Sequence, residues 1–378
     1  MYRSSRRDQI YLLCLLCTSL IILTTIWNII YLIRHSNNSP ANQKIIRRSN
    51  TSSTYTETID LFQETYRKIL QSFIYNYLSI ETIQNASTSY CPPVPPDLQG
   101  SLTVNAIPKD FSLTSNSSFH PRVQFGGHSQ PETCLARHKV ALIVPYRARP
   151  EILKQFLFHT HYLLQRQQLD YRIYICEQAF NKTFNKGIVM NACFKEILRF
   201  QPDTPCFIMH DVDLLLIDDR NMYTCPPVPR HLSVAIDKFQ FSLPYASLVG
   251  GVLGKFHFFS NIQSTSICSA MRREHYLLVN GYSTEYWGWG GEDDDMYERI
   301  VSKNLKIERP PVSIARYKML KHTHQQLNPS RLKVLRTAHT RVNSEGVNNV
   351  KYRLLHKKFF HLYTHFLIDV GEAQKRQI

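Results

Sequence analysis

Acidic residues are in short supply in this 378-residue chain: 29 Asp and Glu stand against 45 Lys and Arg, a formal net charge of +16. Such an excess suits nucleic acid, an anionic membrane or an anionic small substrate. Long apolar runs are also lacking, with the single exception of residues 10–33, which excludes a bundle of membrane spans. No small-x-small cleavage site follows that run, which argues against a removed signal peptide. Glycine is sparse at 13 residues, yet three fall between positions 288 and 291. The apolar share of 43% is ordinary, so a chain of this length buries a full core.

Ile10 to Ile33 is uncharged and mostly apolar, long enough to cross a bilayer core of about 30 Å. Arg3, Arg6 and Arg7 precede it, which keeps that side cytoplasmic. The expected order is a tail (1–9), a transmembrane signal-anchor (10–33), a lumenal stalk (34–90) and a catalytic domain (91–378). A cleaved signal peptide is the competing reading, and it exports the body equally. Asn37, Asn50, Asn85, Asn116 and Asn181 each open an Asn-x-Ser/Thr glycosylation sequon, in keeping with a lumenal body. That location makes nucleic acid an unsuitable partner. Cys14 and Cys17 fall in the span, leaving Cys91, Cys134, Cys176, Cys193, Cys206, Cys225 and Cys268 where disulfides are allowed. Seven is odd, so at least one thiol is free or pairs between chains. In the Ser-, Thr- and Asn-rich stalk, Ile59, Phe62, Ile69, Leu70, Phe73, Ile74 and Tyr77 recur at helical spacing. That pattern fits a helix that makes a homodimer through the stalk, or one that lies on the catalytic domain.

Further on, the pattern alternates. Val140 to Val144 reads as a strand ended by Pro145, Pro150 to Gln165 as a helix, and Tyr171 to Cys176 as a strand. Asn185 to Phe200 reads as a helix and Cys206 to Met209 as a third strand. This order argues for an α/β domain with a mostly parallel sheet, whose ligands bind beyond the carboxyl ends of the strands. Arg147-Ala148-Arg149 and Asp211-Val212-Asp213 fall at such ends. Strand alternation predicts that Asp211 and Asp213 share a face, where a divalent metal carrying a diphosphate relieves their repulsion; a solvated turn is the plainer reading. In Trp287-Gly288-Trp289-Gly290-Gly291-Glu292-Asp293-Asp294-Asp295, glycines permit a mobile turn, a Trp face stacks on a sugar, and a carboxylate deprotonates a hydroxyl. The alternative there is a solvated acidic helix start. Met319 and His322, three residues apart, favour an ion softer than Mg²⁺, such as Mn²⁺.

Together these motifs resemble the β-1,4-galactosyltransferase family, inverting enzymes with the GT-A fold. The match also takes in Val144 to Arg149, Leu164 to Tyr171, Phe184-Asn185-Lys186, Asp237-Lys238-Phe239, Phe241 to Tyr245 and Asn328 to Arg331. The resemblance implies Mn²⁺ held by Asp213, Met319 and His322, and Asp293 as catalytic base. It implies a donor site of Pro145, Arg147, Arg149, Phe184, Asp211, Val212, Lys238, Tyr245, Leu248, Trp289, Glu292 and Asp294. Arg331, Leu332 and Leu335 would cradle the acceptor's N-acetyl group. Cys91–Cys134 and Cys206–Cys225 would be bridged, with Cys176, Cys193 and Cys268 free. The implied reaction moves galactose or N-acetylgalactosamine from a UDP-sugar to a terminal N-acetylglucosamine on a glycoprotein or glycolipid, at a Golgi membrane. Leu248, where galactose-specific members carry Tyr, implies room for an acetamido group. Rival readings are a proteoglycan-linker enzyme acting on xylose, disfavoured by Gly290-Gly291, and a non-catalytic sugar-binding homologue. One departure from the family is an extra run from Leu253 to Cys268 beside the donor pocket, read either as a retained intron or as a lineage-specific loop that bulges outward.

Overall fold

The computed structural model describes residues 89–113, 119–242, 268–322 and 328–372. All of them lie in one compact unit, Ala86–Ile378. Its elements are β1 (His128–Ser129), β2 (Lys139–Tyr146), α1 (Pro150–Arg166), β3 (Asp170–Gln178), α2 (Lys186–Phe200), β4 (Cys206–His210), β5 (Leu214–Leu216), β6 (Arg230–His231), β7 (Ala235–Ile236), β8 (Cys268–Arg272), α3 (Arg273–Leu278), α4 (Glu292–Ser302), β9 (Arg316–Met319), α5 (Arg331–Leu335), α6 (Ala338–Arg341), β10 (Arg353–Phe359) and β11 (Thr364–Asp369).

The main sheet runs β10-β11-β3-β2-β4-β8-β6, with β1 pairing β3, and a second small sheet runs β5-β9-β7. Pairs β11–β3, β3–β2 and β2–β4 are parallel, while β10, β8, β6 and β1 join antiparallel. Both faces of the parallel centre are covered, and the alternating side chains show it. Val140, Leu142 and Val144 of β2, Ile173 and Ile175 of β3, and Ile208 of β4 enter one core with Leu153, Phe156 and Leu157 of α1. Ala141, Ile143, Tyr174, Phe207 and Met209 enter the other, against Val189, Phe194 and Ile197 of α2. A fully buried side chain such as Phe156 or Phe207 stabilises by about 1.5–3 kcal/mol.

Two expectations change. Pro145 does not end its strand: β2 continues to Tyr146 beside β3, while its pairing with β4 stops at Ile143. A residue without an N–H is tolerated where one edge is open. Cys176 and Cys193 are not free but bridged, because Cys176 on β3 faces the inner side of α2 with Cα atoms 6.0 Å apart. Bridges Cys91–Cys134 and Cys206–Cys225 form as expected. Ser269, Ala270 and Met271 extend β8 along β4 before the helix α3 begins. Residues 253–267 of the extra run, the stalk up to residue 88 and residues 10–33 lie outside the described residues. Among the described residues no helix is long and apolar enough to cross a membrane.

Four buried histidines are held neutral. Burial lowers His120 and His210 to about 4, and His161 and His231 to about 3. His161 is satisfied by the Tyr171 hydroxyl and the Leu362 carbonyl, each at 2.8 Å. His120, packed among Phe111, Phe158 and Tyr162, makes no ring-nitrogen hydrogen bond of ordinary geometry. Folded values below the unfolded one mean stability that is full above about pH 6.5 and lost as pH falls toward 4. The domain should therefore weaken steeply across that window. His120→Phe should remove about 2 kcal/mol of the loss between pH 7.5 and pH 5, read by denaturant unfolding at both pH values. An unchanged pH dependence would clear His120 of this role.

Candidate active site

The site forms where the parallel strands end. Past β2 the chain turns through Ala148 at φ 48°, a left-handed conformation that costs a non-glycine residue about 1 kcal/mol. Arg149 then caps α1, its backbone N–H donating to the Tyr146 hydroxyl at 3.0 Å. The turn sends the two guanidinium groups to different partners. Arg147 lies 5.1 Å over the Phe184 ring and donates to the Lys182 carbonyl. Arg149 stands 3.9 Å from Asp213. Burial, then the charge of Arg149, pushes the Arg147 value down, so this corner favours an anion.

Asp211 and Asp213 each form an ion pair with a different side chain. The strand β4 stops at His210 and the chain turns, with Leu214 N–H donating to the Asp211 carbonyl. The alternation expected of a strand therefore lapses at these carboxylates. Asp211 pairs with Lys186 at 3.1 Å, and Asp213 with His322 Nδ1 at 3.1 Å. Val212 between them is buried.

A metal here would need the thioether. Among the described residues no three His, Cys, Asp or Glu side chains stand together as a metal cage. Antiparallel pairing sets Met319 of β9 opposite Leu214, and Leu320 N–H donates to the Asp213 carbonyl at 2.7 Å. Asp237 accepts from the backbone N–H groups of Met319 and Lys238. One carboxylate, one imidazole and one thioether thus lie on adjoining backbone, a donor set that fits a divalent ion softer than Mg²⁺.

The acidic run is not a solvated helix start. Glu292, Asp293 and Asp295 in the first turn of α4 are 7%, 5% and 0% exposed. Gly291 precedes them at φ +98°, where an added Cβ would meet Tyr286 at 2.4 Å. Asp295 is consumed by structure, bonded to Arg299, Arg341 and the Tyr286 hydroxyl. Glu292 and Asp293 turn instead toward Lys186. Its ammonium lies 3.1 Å from Asp293, 3.1 Å from Asp211 and 3.6 Å from Glu292. Despite burial, the three carboxylates hold the Lys186 value well above normal. Burial, with the charges of Glu292 and Asp211, drives Asp293 well above the carboxylate range, and Lys186 opposes that. Burial, then Glu292, brings Asp294 up to about 8, against the pull of Arg331. Glu292 Oε2 and Asp294 Oδ1 are buried without a hydrogen-bond partner, two oxygens suited to the hydroxyls of a sugar.

Other expected residues arrive nearby. Half-buried Trp289 accepts at its carbonyl from Asn328, while Gly288 N–H donates to the Phe184 carbonyl. Burial lowers Lys238 and the Asp213 charge partly restores it, so the two are neighbours. Arg331 packs on the Gly290-Gly291 turn; Leu332 on the same short helix is exposed, and Leu335 is buried. Tyr245 and Leu248 lie outside the described residues. Asn181 is exposed on the loop between β3 and α2, and the four other sequons lie outside the described residues.

Lys186 was passed over in the sequence, although it sits inside the Phe184-Asn185-Lys186 motif. Asn185 caps α2 by accepting from Ile188 N–H at 2.8 Å, which places Lys186 as the first helical residue beyond a strand end. A lysine at that point was the available signal. Lys186→Met removes a cation that favours ionised Asp293. If Asp293 acts as the base, the acid limb of the rate–pH profile should move to higher pH and the rate near neutrality should fall. An acid limb that stays in place would separate Lys186 from Asp293.

Comparisons with known proteins meet this geometry. Residues 91–226 match the family model described as the N-terminal region of glycosyl transferase group 7. Residues 254–323 match that described as the N-terminal domain of galactosyltransferase. The chain is 40% identical over 285 residues to mouse beta-1,4-galactosyltransferase 1, covering 74% of this chain and 67% of that one. To mouse beta-1,4-galactosyltransferase 3 it is 41% identical over 286 residues, covering 75% and 68%. The crystal structure of the catalytic domain of Drosophila beta1,4-galactosyltransferase 7, in complex with xylobiose, is 28% identical with a TM-score of 0.50. That match covers 62% of this chain and 94% of the other. With its two arginines at the end of β2, buried acidic turn and two expected bridges, this chain belongs to the β-1,4-galactosyltransferase family of glycosyltransferases.

Proposed function

We propose that this protein transfers galactose or N-acetylgalactosamine from a UDP-sugar to the 4-hydroxyl of a terminal N-acetylglucosamine, with inversion to a β-1,4 linkage. The observation that carries the reading is the buried Asp293, with raised proton affinity, beside two unpartnered carboxylate oxygens of Glu292 and Asp294. A base of raised affinity is matched to taking a proton from a hydroxyl near neutral pH. Asp293 takes the acceptor proton as the hydroxyl oxygen attacks the anomeric carbon, and the bond to the UDP oxygen breaks on the opposite face. Arg147 and Arg149 offset the negative charge that grows on the diphosphate. Asp294, protonated at pH 7, donates to a sugar hydroxyl while Glu292 accepts from one. Trp289 packs against the donor and helps to exclude water.

Asp213, Met319 and His322 would hold Mn²⁺, which supplies Lewis-acid stabilisation of the diphosphate when bound. Residues 10–33 would anchor the chain in the Golgi membrane with the catalytic domain lumenal and the stalk available for dimerisation. The exposed Asn181 would then be open to N-glycosylation. A second reading, transfer to xylose, draws on the likeness to the Drosophila protein solved with xylobiose. Identity of 40% and 41% to members 1 and 3, against 28% to that protein, ranks it second.

Asp293→Asn should reduce transfer by about 10²-fold or more and leave UDP-sugar binding intact, in an assay with Mn²⁺ and radiolabelled donors. Near-normal turnover in that variant removes Asp293 from the mechanism. Offering free N-acetylglucosamine and xylose side by side decides between the two acceptors. For the donor, an aliphatic residue at position 248 would leave the room that a Tyr takes from an acetamido group. The wild type should accept UDP-N-acetylgalactosamine at least as well as UDP-galactose, and Leu248→Tyr should suppress only the former. A donor ratio unmoved by that substitution sinks the donor assignment.

A further inference from the structure

A second buried charge cluster lies behind the acidic turn, and the proposed chemistry uses none of it. Arg299 and Asp295 are both fully buried and paired with each other, and Arg299 also pairs with Glu345. The side chain of Arg341, only 14% exposed, joins the remaining pieces. It donates to Asp295 at 2.7 Å and to Glu345, and to the Ser283 hydroxyl at 3.0 Å. It also reaches the Val334 carbonyl at 3.0 Å and the Thr337 hydroxyl at 3.2 Å. Glu345 in turn accepts from the Ser283 hydroxyl and Thr284 N–H, each at 2.8 Å.

We propose that Arg341 is a positioning residue that locks the α5–α6 hairpin to α4 and thereby sets affinity for the acceptor sugar. The proposal rests on the reading that Arg331, Leu332 and Leu335 meet the acceptor. Val334 lies within α5, between Leu332 and Leu335, so the bond to its carbonyl fixes that helix directly. Asp295 lies two residues after Asp293, so the bond to its carboxylate fixes the helix carrying the base. Tyr286 closes the circuit: its hydroxyl donates to Asp295 at 3.0 Å and its ring bounds Gly291, on which Arg331 packs. A planar fork with five N–H donors serves these acceptors together, whereas a lysine ammonium is a point charge with three and no fork. The arginine therefore holds two helices in one register.

A cluster that merely pinned the fold would affect every kinetic constant together. A positioning role predicts a split, measured on the full chain in detergent. Arg341→Lys should raise the acceptor KM about tenfold, the equivalent of one charged hydrogen bond, with kcat and donor KM within about twofold. Exposed Thr337→Val, which removes one acceptor of Arg341 without touching the core, should shift acceptor KM in the same direction by less. The acceptor Kd by calorimetry with UDP and Mn²⁺ should follow KM. A wild type that binds N-acetylglucosamine without transferring it would count against the activity alone. An unchanged acceptor KM and Kd in Arg341→Lys overturns the positioning role, as does a parallel rise for donor and acceptor with a lowered Tm. Should Arg341→Lys fail to fold, Thr337→Val decides by the same criterion.

Discussion

One ammonium group organises the catalytic end of this protein. Lys186 lies within 3.6 Å of three carboxylates, two from α4 and one from beyond the end of β4. At an effective dielectric of ~20 each contact is worth about 5 kcal/mol of attraction, against several kcal/mol to dehydrate each ion. Three negative charges around one positive charge still repel one another. Burial above all, and then the charges of Glu292 and Asp211, raise the proton affinity of Asp293 against the pull of Lys186. That raised affinity is the property on which the proposed role of Asp293 as base draws.

Much of the surrounding backbone holds that group in place. Asn185 accepts from Ile188 N–H, donates from its amide to the Thr284 carbonyl and gives its own N–H to Gln178, so the start of α2 is fixed on three sides. At Gly187 the helix passes so close to the Ser283 carbonyl that an added Cβ would stand 1.9 Å from it. The same 283–286 segment meets Glu345 and Asp295 further on. The start of α2, the first turn of α4 and the segment after α6 thus meet on a short piece of chain. A change in any of them is felt by the others.

The sheet was legible because its strands are buried on both faces and each helix between them carries its own apolar side. Pro150 at the head of α1 and Asn185 at the head of α2 were visible boundaries. The sites at the strand ends followed from the same order of elements. Less legible were features made by two segments far apart in the chain. Asp211 and Asp213, beyond the end of β4 at His210, went to different ion-pair partners, Lys186 and His322, which only the tertiary contacts reveal. Cys176 and Cys193 carried no sign of pairing until α2 lay across β3. The acids from Glu292 to Asp295 read equally well as a wet helix end, since the sequence does not say what covers them.

The sequence by itself determined the class of fold, the family and the chemical types in the site. Periodicity, turn residues and side-chain chemistry are local, and each is present in the order of amino acids. Tertiary structure decided which acid does what. Asp295 went to Arg299 and Arg341, Glu292 and Asp293 went to Lys186, and Asp294 was left dry beside Arg331. Four neighbours in one helical turn acquired three different environments. The physical reason is that charge, burial and hydrogen bonding are set by the groups folded against a residue, and those groups are 46 to 107 positions away for the contacts that matter most.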